Sequence, residues 1–107
     1  MEHIAWVSVD AFAVLAEPSR RRILDTLRRA ECSVGELVDT LELSQPAVSK
    51  HLRVLREAGF VSCRTVAQHR IYRLDLRRLR AVDDWLAPYR RMWETHLDAL
   101  ERHLDKE

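Results

Sequence analysis

Hydrophobic positions along this chain keep a helical period over most of its length and switch to strict alternation in one central stretch. Phe12 and Leu15, with Val9 beside them, fall on one side of a first helix that Ser8 can cap and that runs over residues 8–16. The residues before it, including Trp6, read as a loose arm. Pro18 opens a second helix over residues 19–30, with Ile23, Leu24 and Leu27 turned inward. Ser33 and Glu36 have the spacing of a capping box, so a short third helix with Leu37, Val38 and Leu41 on its apolar side runs to residue 41. Glu42-Leu43 leaves room only for a tight turn. Ser44 then caps a fourth helix, Pro46 sits in its first turn, and Gly59 marks its stop. Val48, Leu52 and Leu55 must face a core within it.

After Gly59 the period changes. Val61 and Cys63 alternate with Ser62 and Arg64, and Tyr72 and Leu74 alternate around Arg73, which predicts two strands joined near residues 67–69. From residue 76 to 104, Leu79, Val82, Leu86, Tyr89, Trp93, Leu97, Leu100 and Leu104 recur at steps of three and four. Pro88 falls inside that stripe and predicts a kink or a break into two helices. The pattern as a whole describes one domain over residues 1–107, mainly α with a small β-hairpin wing. Its helix-turn-helix lies at 34–57, its wing at 60–74, and its terminal helices at 8–16 and 76–104.

Composition adds a charge asymmetry that the net value conceals. The 107 residues carry a formal charge of +1. Between Ser44 and Arg80, however, nine Lys or Arg stand against two acids, whereas from Ala81 onward four bases stand against seven acids. A basic middle and an acidic tail imply two surfaces with different partners. An apolar fraction of 47% suits a folded domain. No apolar run reaches the ~18 residues of a membrane span, and no signal peptide opens the chain. A cytoplasmic protein with reduced thiols is the expectation.

The fourth helix presents Gln45, Ser49, Lys50, Arg53 and Arg56 on its polar side, a set of donors and cations suited to a polyanion with hydrogen-bonding edges. Ser44 and Gln45, at the end that enters a major groove first, are placed to reach base edges; Gln45 can bond adenine in two places. Ser49 and Lys50 are candidates for base or phosphate contact, Arg53 and Arg56 for the backbone, and His51 for a phosphate contact or packing. Arg64, Arg70 and Arg73 make the hairpin basic and would hold it to the phosphates. The arginines at 20, 21, 22, 28 and 29 read mostly as solvated or paired with Glu17, Asp25 and Glu31.

These residues carry a family likeness. The run from Phe12 to Leu24, FAVLAEPSRRRIL, resembles the opening of the arsenical-repressor (ArsR/SmtB) family of bacterial winged-helix regulators. VGEL at Val34–Leu37, LSQPAVSKHL at Leu43–Leu52 and LREAGFV at Leu55–Val61 are similar to its helix-turn-helix and following strand, and RIYRL at Arg70–Leu74 to its returning wing strand. The resemblance implies a homodimeric repressor of its own or a neighbouring operon, joined through first and last helices. It also implies binding to an imperfect palindrome in double-stranded operator DNA and release by an inducer. The expected interface comprises Phe12, Leu79, Val82, Leu86, Tyr89, Met92, Trp93, Leu97 and Leu100.

The chain departs from the metal-sensing members of that family. Ser33 and Gly35 stand where their paired thiols would be, with Cys32 out of register. On the last helix His96 and His103, with Asp98 and Glu101 between them, do not reproduce the familiar ligand spacing, so no metal and no cofactor is expected. Cys63 reads as a small core residue. Cys32, next to a helix N-terminus where a thiol pKa can fall, is the candidate redox thiol. Trp85, Tyr89 and Trp93 either fill the dimer interface or line a pocket for a small-molecule inducer. No catalytic set or phosphate loop is present, so an enzyme is not expected. The competing functions are a winged helix that recognises a protein through its last helix, and an activator of the same fold.

Overall fold

The computed structural model describes residues 11–105; the arm with Trp6 and the cap at Ser8 lie outside the described residues. Helix α1 covers residues 11–15, and α2 runs Pro18–Arg29. Strand β1 (Cys32–Ser33) leads directly into α3 (Val34–Leu41), and α4 follows at Gln45–Glu57. The wing strands are β2 (Val61–Val66) and β3 (His69–Leu74), and α5 spans Leu76–Asp105. This is the winged helix-turn-helix that the periodicity describes, with one strand added.

The helix boundaries have local causes. The Glu17 carboxylate accepts from Ser19 N–H at 2.5 Å and starts α2. The Ser33–Glu36 capping box of α3 is complete in both directions, at 3.2 and 2.8 Å. Glu42, in the left-handed region at φ 56°, ends α3 by donating to the Val38 carbonyl at 2.9 Å. The Ser44 hydroxyl accepts from Ala47 N–H at 3.2 Å and opens α4. At the other end of α4, Gly59 N–H donates to Arg56 O at 3.0 Å and Phe60 N–H to Leu55 O at 2.9 Å. That pair of bonds is a Schellman stop, with Gly59 at φ 87° as its left-handed residue.

The core unites Ile23, Leu24 and Leu27 of α2, Leu37 and Leu41 of α3, and Val48, Leu52 and Leu55 of α4 with Phe60, Val61 and Tyr72. In α1 the buried side is Ala11 and Val14, not Phe12 and Leu15. Leu15 is partly covered, while Phe12 is 40% exposed and meets Trp85 edge-on at 5.1 Å. The small residue Ala11 permits close approach, and the large ring is left to the α5 side. Leu79 and Val82, expected at a partner surface, pack against the chain's own core.

Three further expectations are corrected. The sheet has three strands in the order β1-β3-β2, because Cys32 and Ser33 pair with Tyr72 and Ile71 on the free edge of β3. A two-residue strand leaves no alternation to read. Of the kink or break expected at Pro88, the break into two helices does not occur, and α5 is one long helix through it. Arg90 reaches back over that turn and donates to both the carbonyl and the carboxylate of Asp83. Three of the five α2 arginines serve backbone carbonyls instead of acids: Arg20 donates to Val14 O at 2.8 Å, Arg21 to Leu15 O at 2.6 Å, and Arg22 to Leu41 O at 3.1 Å, while Arg28 and Arg29 are exposed. The first three satisfy the open carbonyl ends of α1 and α3, where a cation also meets the negative end of the helix dipole.

The two glycines behave oppositely. A Cβ on Gly59 would meet Arg78 Cγ at 3.2 Å in a backbone conformation that L-residues resist, whereas one on Gly35 would have its nearest neighbour, Ser33 Oγ, at 3.9 Å. Gly59→Ala should destabilise the fold by about 1–2 kcal/mol, lowering Tm by roughly 4–8 °C per kcal/mol. Gly35→Ala should leave stability unchanged or raise it by at most about 1 kcal/mol, with Tm unchanged or higher. Equal Tm shifts in the two variants would contradict the assignment of the α4 stop.

Asp75 heads α5, accepting from Arg77 N–H at 3.1 Å, Nε at 3.0 Å and Nη2 at 2.7 Å. These donors hold its carboxyl at about 2, below the ordinary value. The folded form therefore gains stability from Asp75 above the ordinary carboxylate range, near 3.9, and loses it as pH falls toward 2. Asp75→Asn should flatten that segment of an acid-unfolding curve and leave the shape above pH 5 unchanged; an unaltered acid limb would refute it.

Candidate nucleic-acid interface

The outer face of α4 is set by its inner one. Val48, Leu52 and Leu55 are buried to 0%, 1% and 0% exposure, so the residues between them must turn outward. Gln45, Ser49, Lys50, Arg53 and Arg56 are all exposed. Opposite them β3 brings up Arg70 and Tyr72, and the two elements enclose a cleft of about 950 Å³ that also takes in Val34, Pro46 and Glu57. Four cations and one acid line it. Among the described residues Lys50, Arg53 and Arg56 have no hydrogen bond or ion pair within the chain, so their charge is unspent.

The remaining predicted residues separate. Ser44 is exposed but its hydroxyl is engaged by Ala47 N–H as the cap. His51 is half-buried with Nδ1 covered, and it lies close enough to Glu17 to favour that carboxylate, on the α2 side of the helix and away from the cleft lining. The wing arginines stand on two faces, as the register of β2 and β3 dictates. Thr65 pairs with Arg70 and Cys63 with Tyr72 on one face, while Arg64 pairs with Ile71 and Ser62 with Arg73 on the other. Arg64 is ion-paired with Glu31 at 2.8 Å, and Arg73 donates to Ser62 Oγ at 3.0 Å. Only Arg70 of the three lines the cleft.

Tyr72 and Arg78 were not singled out by the pattern of charges. Tyr72 lines the cleft and is only 7% exposed, with its hydroxyl pKa raised mainly by that burial. The alternation that pairs it with Cys63 contained the signal. Arg78, 6% exposed, lies over the Phe60 ring at 6.0 Å and against Gly59. A buried arginine in a basic stretch has no sequence mark to distinguish it from its exposed neighbours.

The thiol expectation reverses. Cys32 is buried in β1 and donates to Ala30 O at 3.4 Å; burial, reinforced by the Glu36 carboxylate, raises its pKa rather than lowering it. A strand position that faces the core outweighs the adjacent helix end. Cys63 is the half-buried thiol, packed at the edge of the core. Among the described residues no three His, Cys, Asp or Glu side chains gather where they could hold a metal ion. Nor is any described helix long and apolar enough to cross a membrane.

Residues 17–62 match the bacterial regulatory protein family arsR, a span that contains α2 through the start of β2. HTH-type transcriptional regulator Rv2034 of Mycobacterium tuberculosis is 37% identical over 97 residues, covering 91% of this chain and 88% of that protein. The chain belongs to the ArsR family. Its members are DNA-binding transcriptional regulators and not enzymes, and that is the class of this protein. The transcriptional repressor SdpR of Bacillus subtilis is 29% identical over 72% of this chain and 86% of its own length. The solved structure of HlyU from Vibrio cholerae N16961, a protein named as a transcriptional activator, superposes with a TM-score of 0.67 at 38% identity, over 83% of this chain and 97% of that one.

Proposed function

We propose that this ArsR-family regulator binds operator DNA as a homodimer and acts as a repressor. In this reading α4 enters the major groove from its N-terminal end, Gln45 reads a base edge, and Ser49 and Lys50 contact bases or the adjacent phosphates. Arg53, Arg56 and Arg70 hold the backbone from the two sides of the cleft. Arg64 and Arg73, already partnered on the other face of the wing, make secondary contacts at most. The observation that carries the reading is the cleft itself: cations without internal partners on a rigid helix, faced by a wing cation, with a single acid among them.

The second surface supports dimerisation. On α5 the side chains of Tyr89, Met92, Trp93, Leu97, Leu100 and Leu104 are each 45–62% exposed, and Phe12 adds its free edge beside Trp85. An apolar stripe of that length in a small domain is a partner surface. A two-fold pair presents two copies of α4, which matches an imperfect palindrome. Trp85 contacts the rings of Phe12 and Tyr89 at 5.1 and 4.9 Å and leaves half its surface exposed on the same apolar side, which favours an interface over an inducer pocket. Occupation of a promoter by such a dimer blocks polymerase, which is the repressor reading; activation, the role for which HlyU of Vibrio cholerae is named, requires additional contacts to polymerase.

Titration of the purified protein against its own upstream DNA tests the assignment. Affinity should fall steeply with salt, by about 0.9 log units per log unit of salt for each phosphate neutralised. Gln45→Ala should cost roughly 1–3 kcal/mol of discrimination between operator and scrambled duplex. Equal losses on the two duplexes would remove Gln45 as the base reader, and retention of DNA without sequence preference by the parent protein would favour a protein-interaction module.

A further inference from the structure

Arg70 differs from the other wing arginines in what holds it. Arg64 is tied to a carboxylate and Arg73 to a hydroxyl, but Arg70 donates its Nε–H to the sulfur of Cys63 at 3.3 Å. Its guanidinium carbon lies 5.9 Å from the centre of the Tyr72 ring, and Tyr72 is the strand partner of Cys63. Ring and sulfur therefore hold the guanidinium from two sides, the ring under its carbon and the sulfur at its inner edge. Bonding through Nε engages the inner edge of the fork, which leaves both Nη nitrogens for an acceptor in the cleft. An arginine is most effective on a phosphate when two N–H groups are presented together, and its long side chain loses rotamer freedom when it binds. Restraint before binding reduces that loss.

We propose that Cys63 is a positioning residue for DNA binding, holding Arg70 so that its terminal nitrogens face the phosphate backbone across the cleft from α4. The thiol serves as an acceptor here, a role distinct from core filling and from redox chemistry. The inference rests on the assignment of Arg70 as a backbone contact, and the two can fail separately. Any chemical change that removes the acceptor character of this sulfur, or enlarges it, releases Arg70 and weakens DNA binding at a site that does not itself touch DNA.

The test compares Arg70→Ala, Cys63→Ala, Cys63→Ser and the double variant Cys63→Ala/Arg70→Ala, by operator affinity across a salt series. Arg70→Ala should reduce the salt slope by about one. Cys63→Ala should weaken binding roughly two- to tenfold, the range of one hydrogen bond, and the double variant should be no weaker than Arg70→Ala alone. Cys63→Ser, which keeps an acceptor, should recover most of the affinity. In free protein, the Arg70 Nε–H resonance should exchange faster with water in Cys63→Ala than in the parent, a readout that does not depend on DNA. Additive losses in the double variant, or an Nε–H signal indifferent to Cys63, would overturn the positioning role while leaving Arg70 as a contact. An unchanged affinity and slope in Arg70→Ala would overturn both.

Discussion

The seam formed by Val48, Leu52 and Leu55 against α2, α3 and Phe60 determines what the molecule can present to the outside. Burying three such side chains contributes about 1.5–3 kcal/mol each, so rotation of α4 about its axis would expose apolar surface at a cost comparable to the stability of a small domain. With rotation fixed, the side chains of Gln45, Ser49, Lys50, Arg53 and Arg56 have one direction available. The Schellman stop fixes the other degree of freedom, because Gly59 turns the chain within two residues into β2 and thereby sets where β3 and Arg70 return. Arg78, packed on Gly59 and Phe60, ties the start of α5 to the same corner. The cleft is the consequence of these restraints and needs no ligand to form.

Charge counting and charge placement tell different stories in this chain. Its many arginines divide by function according to what lies within reach. Arg20, Arg21 and Arg22 complete the carbonyl ends of α1 and α3, Arg64, Arg77 and Arg90 meet carboxylates, and Arg73 meets a hydroxyl. Exposed ion pairs of this kind add little stability but do neutralise charge. Arg28 and Arg29 on α2 and Arg80, Arg91 and Arg102 on α5 stand exposed to solvent, while Lys50, Arg53 and Arg56 gather on one face of α4 beside Arg70, where a polyanion would supply partners. The winged helix thus separates cations that close its own backbone from cations held open for a ligand.

Much of this was legible in the sequence, for identifiable reasons. The capping serine at 44, the capping box at 33 and 36, and the glycine at 59 are local signals whose geometry is decided within four residues, and each stands in the fold as read. The core positions of α2 and α4 follow from the helical period alone. Signals that depend on distant partners were not legible. Strand β1 exists because β3 offers it an edge, and Cys32 takes its character from the sheet rather than from the adjacent helix end. For the site, the α4 residues were recoverable as a face, while the division of the wing arginines required the register of β2 on β3.

Mapping the bound duplex onto the protein is the most direct test of the central claim, that one preformed cleft between α4 and β3 is the DNA-binding surface. Titration of isotopically labelled protein with its operator, followed by amide and arginine side-chain resonances, should shift Gln45, Ser49, Lys50, Arg53 and Arg70 together while residues 91–105 of α5 stay unmoved. Shifts concentrated on α5, with the cleft silent, would contradict it.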